Sequence, residues 1–430
     1  MTGPAFTVET FHNEYLPEGG GEVDAIVSVT ARGMAGAPTG AGAAQVIMVD
    51  CSGSMGDPST KIYAARQAVR VALDALPDGV LVAVVAGRHD ARMVFPSSER
   101  MVALDATTRR QAQAAADHLV PSGGTAIGTW LTLAQRLLAP HGDRIRQGLL
   151  LTDGRNEHET PAALAAALDL ADGVFTCDCR GVGTDWEVEE LRRIGARLLG
   201  SVDIVADPDG LAADFAGIVE GAMAKGVGDV ALRVWTPRGA TLHAVKQVSP
   251  TVADLTDRRT PDPSKPLIGT FPTGAWGDET REYHVRAQLE PLAVGEQILA
   301  ARVGIVVPAL ADTPLAEARV RVEWTSDSAL STRLDQRVAH FTGQAELAEA
   351  IQDGLDARRA GDVPTATARL GRAVALATAS GNAETAALLE KVVEVDDPST
   401  GRVRLRSGVD AADEMTLDVR STRTARVRGA

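Results

Sequence analysis

The sequence predicts a doubly wound, Rossmann-like α/β domain that is inserted in, or followed by, an antiparallel β-sandwich, with an α-helical hairpin region after it. Three observations carry this. Between residues 43 and 226 uninterrupted apolar runs alternate with stretches of helical spacing. On both sides of that segment the pattern drops to a period of two, and from about residue 327 apolar residues fall four apart. Parallel strands covered on both faces read as continuous apolar runs, and half-buried antiparallel strands alternate.

Taken in order, Phe6, Val8 and Thr10 share one face of a strand, and Val23, Ala25, Val27 and Val29 share one face of another. Two strands are too few to stand alone, so residues 1–42 are expected to join the sandwich formed later in the chain. A Gly-, Ala- and Pro-rich stretch from Ala31 reads as a connection. The α/β domain then opens with a buried strand, Val46 to Val49. A helix follows that carries Ile62, Ala65, Val69, Ala72 and Leu76 on one stripe. A second buried strand runs over 79–87, and helices are expected over 107–119 and 126–138. A third strand ends in Leu151-Thr152-Asp153, and further helix–strand alternation closes the unit near Lys225. From 227 to 326 alternation returns: Val230, Leu232 and Val234 share a face, as do Val285, Ala287 and Leu289, and Val320 and Val322. Residues 327–397 are expected to be helical, with Leu347, Ile351 and Leu355 aligned, and one tetratricopeptide-like hairpin. Residues 398–430 read as an extended, disordered tail. Residues 401–430 hold seven Arg against four acids, opposite in sign to the rest.

Composition narrows the function. Acidic residues outnumber Lys plus Arg by 57 to 43, for a net charge of −14. A chain this acidic is a poor ligand for nucleic acid or an anionic membrane surface. Three cysteines make no disulfide framework. The first residues lack a basic segment followed by an apolar one, and no run of 18 uncharged apolar residues occurs. The expected compartment is the cytoplasm.

The chemistry concentrates at strand ends. Asp50, Ser52 and Ser54 lie two apart directly after the first buried strand. Thr125 follows two glycines at the start of a helix, and Asp153 ends the third buried strand. In doubly wound sheets ligands bind outside the carboxyl ends of the strands, so five oxygen side chains from three loops are brought to one edge. Two carboxylates and three hydroxyls suit a hard cation, and no His or Cys is placed to prefer zinc. Mg²⁺ is the expected metal, with Mn²⁺ or Ca²⁺ as alternatives.

Asp-x-Ser-x-Ser followed by a distant Thr and a distant Asp resembles the metal-ion-dependent adhesion site (MIDAS) of the von Willebrand factor A family, over residues 45–225. The overall order of segments also resembles bacterial members of that family. The resemblance implies that Ser52, Ser54 and Thr125 ligate directly, that Asp50 and Asp153 act directly or through water, and that an acidic residue of a partner protein completes the metal's shell. Cys51 stands where many members have an apolar or small residue. The resemblance also points to the final helix of the domain, after Gly210, as either a fixed packing element or one that slides when the metal gains a ligand.

The remaining candidates read as structural. Cys177 and Cys179, two apart on a strand, are expected to pack as small hydrophobes, as is Cys51. His158 reads as a solvated loop residue. No phosphate-binding loop, nucleophile elbow or candidate general base is found, so the chain is not expected to be an enzyme. Thr416, Thr422 and Thr424 stand among acids and arginines in the tail. The Ala-, Arg-, Asp- and Gly-rich composition has an actinobacterial look, which makes Ser/Thr kinases plausible neighbours. Phosphate there would dock on a forkhead-associated domain. The leading expectation is a cytoplasmic scaffold or adaptor that holds an acidic partner loop through Mg²⁺. The alternatives are a non-catalytic subunit of an ATPase- or chelatase-type complex, and a surface adhesin.

Overall fold

The computed structural model describes residues 5–34, 42–333 and 335–424. Part of the expected connection (35–41) and the end of the expected tail (425–430) lie outside them. The chain forms two compact units. The first is Met1–Gly33, Asp229–Thr273 and Asp278–Ala430; the second is Met34–Gly228 with Gly274–Gly277.

The first unit begins with β1 (Ala5–His12), β2 (Tyr15–Pro17) and β3 (Glu22–Arg32). The chain then passes into the second unit, whose elements are β4 (Ala43–Asp50), α1 (Thr60–Ala75), β5 (Leu81–Gly87), β6 (Ala91–Phe95), β7 (Val102–Ala103), α2 (Ala106–Ala116), α3 (Ile127–Leu138), β8 (Ile145–Thr152), α4 (Pro161–Ala171), β9 (Thr176–Val182), α5 (Val188–Arg197), β10 (Val202–Val205) and α6 (Leu211–Met223). The sheet order is β10-β9-β8-β4-β5-β6, with β7 beside β5. β4 pairs in parallel with β5 on one side and β8 on the other. The strand order therefore reverses at β4, the point of a doubly wound sheet at whose carboxyl end ligands bind. Seven of the eight residues of β4 are buried, which is why that strand reads as an unbroken apolar run. β6 and β7 are additions to the sequence reading, which passes from the second buried strand straight to a helix. They are short, half-exposed antiparallel edge strands, with too little apolar surface to leave a pattern. One face of the sheet is covered by α1, α2 and α6 around Ile47, Val49, Val69, Leu73, Phe215 and Val219.

Back in the first unit come β11 (Val227–Trp235), β12 (Thr241–Ser249), β13 (Ala253–Asp254), β14 (Thr260–Asp262), β15 (Lys265–Trp276), β16 (Thr280–Gln288), β17 (Gln297–Val307) and β18 (Ala311–Thr325). Two sheets result, ordered β1-β3-β16-β12-β13 and β14-β15-β11-β17-β18-β2. The N-terminal strands thus share sheets with strands from beyond the α/β unit: β3 pairs with β16, with Val27 opposite Tyr283 and Ala25 opposite Val285. β3 is buried on both faces. Its Ile26 packs with Val248 and with Val338 and Phe341 of a covering helix.

That helix is α8 (Gln336–Arg359), preceded by the single-turn α7 (Ser328–Ser331) and followed by α9 (Val363–Ser380) and α10 (Ala383–Val392). Gly381 caps α9 in the left-handed conformation, φ 66°, a conformation that glycine adopts without steric cost.

The expected disordered tail is corrected by the fold. β19 (Val393–Asp397) and β20 (Arg402–Leu405) form a hairpin, and α11 (Ala411–Arg420) follows. Val403 and Leu417 join the core of α8, α9 and α10. Acids of the segment are partnered: Arg359 of α8 pairs with Asp418 and lies 3.4 Å from Glu414, and Lys391 lies 2.7 Å from Asp413. Beyond α11 the backbone is tied to the sandwich, Val252 N donating to Thr422 O (2.7 Å) and Thr424 N to Pro250 O (3.0 Å). Among the described residues no helix is long and apolar enough to cross a membrane. Truncating the fully buried Leu417 to Ala should destabilise the protein by about 2–5 kcal/mol, read by urea unfolding. An unchanged midpoint would mean that this segment is not packed.

Candidate metal centre

Asp50 is the last residue of β4, and Thr152 the last of β8, so Asp50 and Asp153 come side by side from adjacent central strands. Both are fully buried. Ser52 Oγ and Ser54 Oγ are 2.9 Å apart, and Ser54 Oγ donates to Asp153 Oδ1 at 2.8 Å. Ser54 is exposed, so the cluster has a buried acidic floor and a mouth open to solvent.

Thr125 arrives from another loop, and backbone bonds fix its position. Gly53 N donates to Gly123 O (2.9 Å), Ser122 N to Cys51 O (2.7 Å), and Cys51 N to Gly87 O (2.7 Å). These bonds lace the Asp50 loop to the Thr125 loop and to the end of β5. Gly87 has no Cβ because the Trp130 indole lies against it: an added Cβ would come within 2.3 Å of the ring. Trp130, fully buried on α3, in turn donates Nε1–H to Arg88 O at 2.7 Å.

A third set of bonds joins the Thr125 loop to the Asp153 loop. Ala126 precedes α3 and has no side chain that can cap it. The free N–H groups of α3 are taken by the other loop instead, Ile127 N by Asn156 Oδ1 and Gly128 N by Glu159 Oε1, both at 2.7 Å. His158 works beside them. Its ring Nδ1 accepts from Thr125 N at 3.2 Å, and its backbone N–H donates to Thr125 O at 3.0 Å. The solvated loop histidine of the sequence reading is therefore a clamp on Thr125, although its ring remains exposed. Gly124 makes room for that ring, which a Cβ would meet at 2.1 Å.

All five predicted residues thus surround one place, and the backbone at Gly154 shows where. A Cβ built there would stand 3.3 Å from Ser54 Oγ, 3.5 Å from Thr125 Oγ1 and 3.9 Å from Ser52 Oγ. Three hydroxyls from two loops converge on a spot that glycine leaves open. The donor set fits a hard divalent cation: oxygen only, two carboxylates, partly exposed. Ser52, Ser54 and Thr125 would hold such an ion beside Asp50 and Asp153, and the ion would supply a Lewis-acidic position for an incoming oxygen ligand. Among the described residues no group of three or more His, Cys, Asp or Glu gathers as a competing metal site.

Two partners of the carboxylates carry no motif and were missed in the sequence. Thr152 Oγ1 donates to Asp50 Oδ2 at 2.6 Å, while Ser52 N donates to Asp50 Oδ1 at 2.7 Å. Lys61, from the first turn of α1, places Nζ 2.8 Å from Asp153 Oδ2. Burial works against that ammonium, yet the hydrogen bond and charge of Asp153, with help from Asp185, hold its pKa above the ordinary lysine value. An amphipathic helix reading treats Lys61 as one of the polar positions, and only the fold shows that it points inward.

The cysteines are structural. Burial, with the charge of Asp50, pushes the Cys51 thiol up to about 12. Its hydrogen bond with Cys179, together with burial, raises Cys177 well above the thiol range. Neither is a thiolate at neutral pH. The three tail threonines are also placed differently from the sequence reading. Thr416 lies within α11, its Oγ1 donating to Ala412 O at 2.6 Å, and Thr422 and Thr424 are half-buried in the docked segment.

Burial pushes the Asp50 carboxyl up to about 6, with hydrogen bonds from Thr152 and Ser52 opposing and the charge of Asp153 adding to the rise. Between its ordinary value of 3.8 and about 6, the folded protein therefore holds a proton that the unfolded chain has lost. Metal-free stability falls as pH rises through that window, by roughly 3 kcal/mol in all. A cation that needs ionised Asp50 competes with this proton. Added Mg²⁺ should raise the Tm above about pH 7, and the increment should shrink as pH falls through 6. Thermal denaturation checks this, and an increment that does not change with pH would contradict it.

Comparison with known proteins places the arrangement. A model of the von Willebrand factor type A domain matches residues 44–204, and one of the von Willebrand factor type A C-terminal domain matches residues 375–421. No curated protein matches the chain. The solved structure of a von Willebrand factor type A protein from Catenulispora acidiphila is 49% identical, with 99% of this chain and 98% of that one covered and a TM-score of 0.93. Two more distant structures share the fold alone. One is the ArnB paralog VWA2 of Sulfolobus acidocaldarius (14% identity, 98% of each chain, TM-score 0.58). The other is the human COPII-coat protein Sec24c (11% identity, 90% of this chain and 58% of that one, TM-score 0.53). Domains of this kind are protein-interaction modules that typically bind a divalent metal. At half identity over nearly its whole length, and with two segments that match models of the family, the chain belongs to the von Willebrand factor type A family.

Proposed function

We propose that this protein is a cytoplasmic scaffold or adaptor that holds an acidic loop of a partner protein through a divalent cation, Mg²⁺ in the first place. The cation sits among Asp50, Ser52, Ser54, Thr125 and Asp153. The observation that carries the reading is the convergence of the three hydroxyls beside Gly154, over two buried carboxylates, at a mouth open through Ser54. A cation held there keeps a face toward solvent, and a carboxylate is the protein group best suited to complete its shell. The loops around the site are tied to one another by backbone and capping bonds, so little ordering is left to do on binding, which favours affinity.

The test is a pull-down from lysate comparing wild type with Mg²⁺, wild type with EDTA, Asp50→Ala and Ser52→Ala. A partner should be retained by wild type with Mg²⁺ and lost, by tenfold or more, in the other three. Partners retained equally in all four would overturn the reading. An ATPase as the Mg²⁺-dependent partner, with ATP turnover that needs Asp50, would replace it with the ATPase-subunit alternative.

A further inference from the structure

A buried ammonium lies against the metal centre, and holding a cation does not by itself require it. The side chain of Lys61 is 10% exposed and that of Asp153 is 0% exposed, with Nζ to Oδ2 at 2.8 Å. The other nearby acid, Asp185, is 3.5 Å away and 72% exposed. One oxygen of Asp153 therefore faces the protein's own cation, and the other accepts from Ser54. Asp50 differs: both its oxygens accept from neutral donors, Ser52 N and Thr152 Oγ1. Lysine is rarely buried unless paired, and a buried pair is often no more stable than apolar residues of the same size. A methionine on α1 would fill similar space without a charge.

The charge changes what the site prefers. Asp50, Asp153 and Lys61 together carry one net negative charge, so a divalent cation brings the site to one net positive charge. Without Lys61 the loaded site would be neutral, and a carbonyl or hydroxyl would suit it nearly as well as a carboxylate. We propose that Lys61 is a specificity-determining residue. Its ammonium weakens the hold of the protein alone on the cation and makes an anionic ligand necessary to balance the loaded site. Metal and acidic partner then bind cooperatively, and by linkage each strengthens the other by the same factor. This inference rests on the metal-dependent reading above and adds to it the reason that the partner group is a carboxylate.

The test uses the full chain, with Mn²⁺ as the probe and free Mn²⁺ read by electron paramagnetic resonance. Acetate serves as the acidic ligand and acetamide as its neutral counterpart. In wild type, acetate should tighten Mn²⁺ binding and acetamide should not. Lys61→Met should bind Mn²⁺ at least about tenfold tighter without acetate, since a charge a few ångströms away is removed from a low-dielectric site, and the acetate effect should shrink. Lys61→Gln, which keeps a donor for Asp153 but drops the charge, should follow Lys61→Met. Lys61→Arg should restore wild-type behaviour. Unchanged or weaker Mn²⁺ binding in both neutral variants, with metal-free thermal unfolding still cooperative, would overturn the proposal and leave Lys61 a structural partner of Asp153. A wild type that binds no Mn²⁺ would overturn the metal reading itself, which separates the two failures.

Discussion

Two carboxylates buried side by side, at the ends of adjacent central strands, repel each other, and the surrounding structure answers that repulsion. Asp50 and Asp153 are there because β4 and β8 are neighbours in parallel register at the point where the strand order reverses. No water reaches either side chain directly. What balances them is local: a backbone N–H, two hydroxyls and one ammonium. Burial is the larger cause of the raised Asp50 carboxyl, and the charge of Asp153 adds to it. An unbalanced buried charge is costly to a fold, and a cation is the remedy that the arrangement of hydroxyls makes available.

The three loops at this edge act as one body because each is bound to the next. The Asp50 loop is joined to the Thr125 loop by backbone bonds, and the Thr125 loop to the Asp153 loop by Asn156, His158 and Glu159. The glycines at 87 and 124 admit Trp130 and His158 against the backbone. Convergence of oxygens from three separate loops follows from this lacing, and it is the kind of preorganisation that a metal or partner site needs. In the other unit, the same economy of contact holds the C-terminal segment: a few buried apolar residues, and acids of α11 matched to arginines of α8.

Much of this was legible in the sequence, for identifiable reasons. The buried strands carry unbroken apolar runs, so β4, β5 and β8 could be placed and their ends located. Asp50, Ser52, Ser54, Thr125 and Asp153 could then be assigned to one edge of one sheet. What could not be read depends on pairing between distant segments. Lys61 lies on a helix whose pattern says only that some positions are polar. Asn156, His158 and Glu159 lie in a loop whose targets, Thr125 and the first residues of α3, are some thirty positions earlier. β6 and β7 are too short and exposed to leave a periodicity. The C-terminal segment misled for a related reason: its fully packed residues Val403 and Leu417 stand fourteen apart, and the partners of its acids lie on earlier helices, Arg359 of α8 for Asp418 and Lys391 of α10 for Asp413.

The most direct test of the central claim is a crystal of the protein grown with Mn²⁺ and measured at a wavelength where manganese scatters anomalously. The account predicts one strong anomalous peak in the crevice at the end of β4, within about 2.0–2.4 Å of the hydroxyl oxygens of Ser52, Ser54 and Thr125, and its loss in Asp50→Ala. A crystal with no peak there, or with manganese bound elsewhere while these hydroxyls keep only their protein partners, would contradict it.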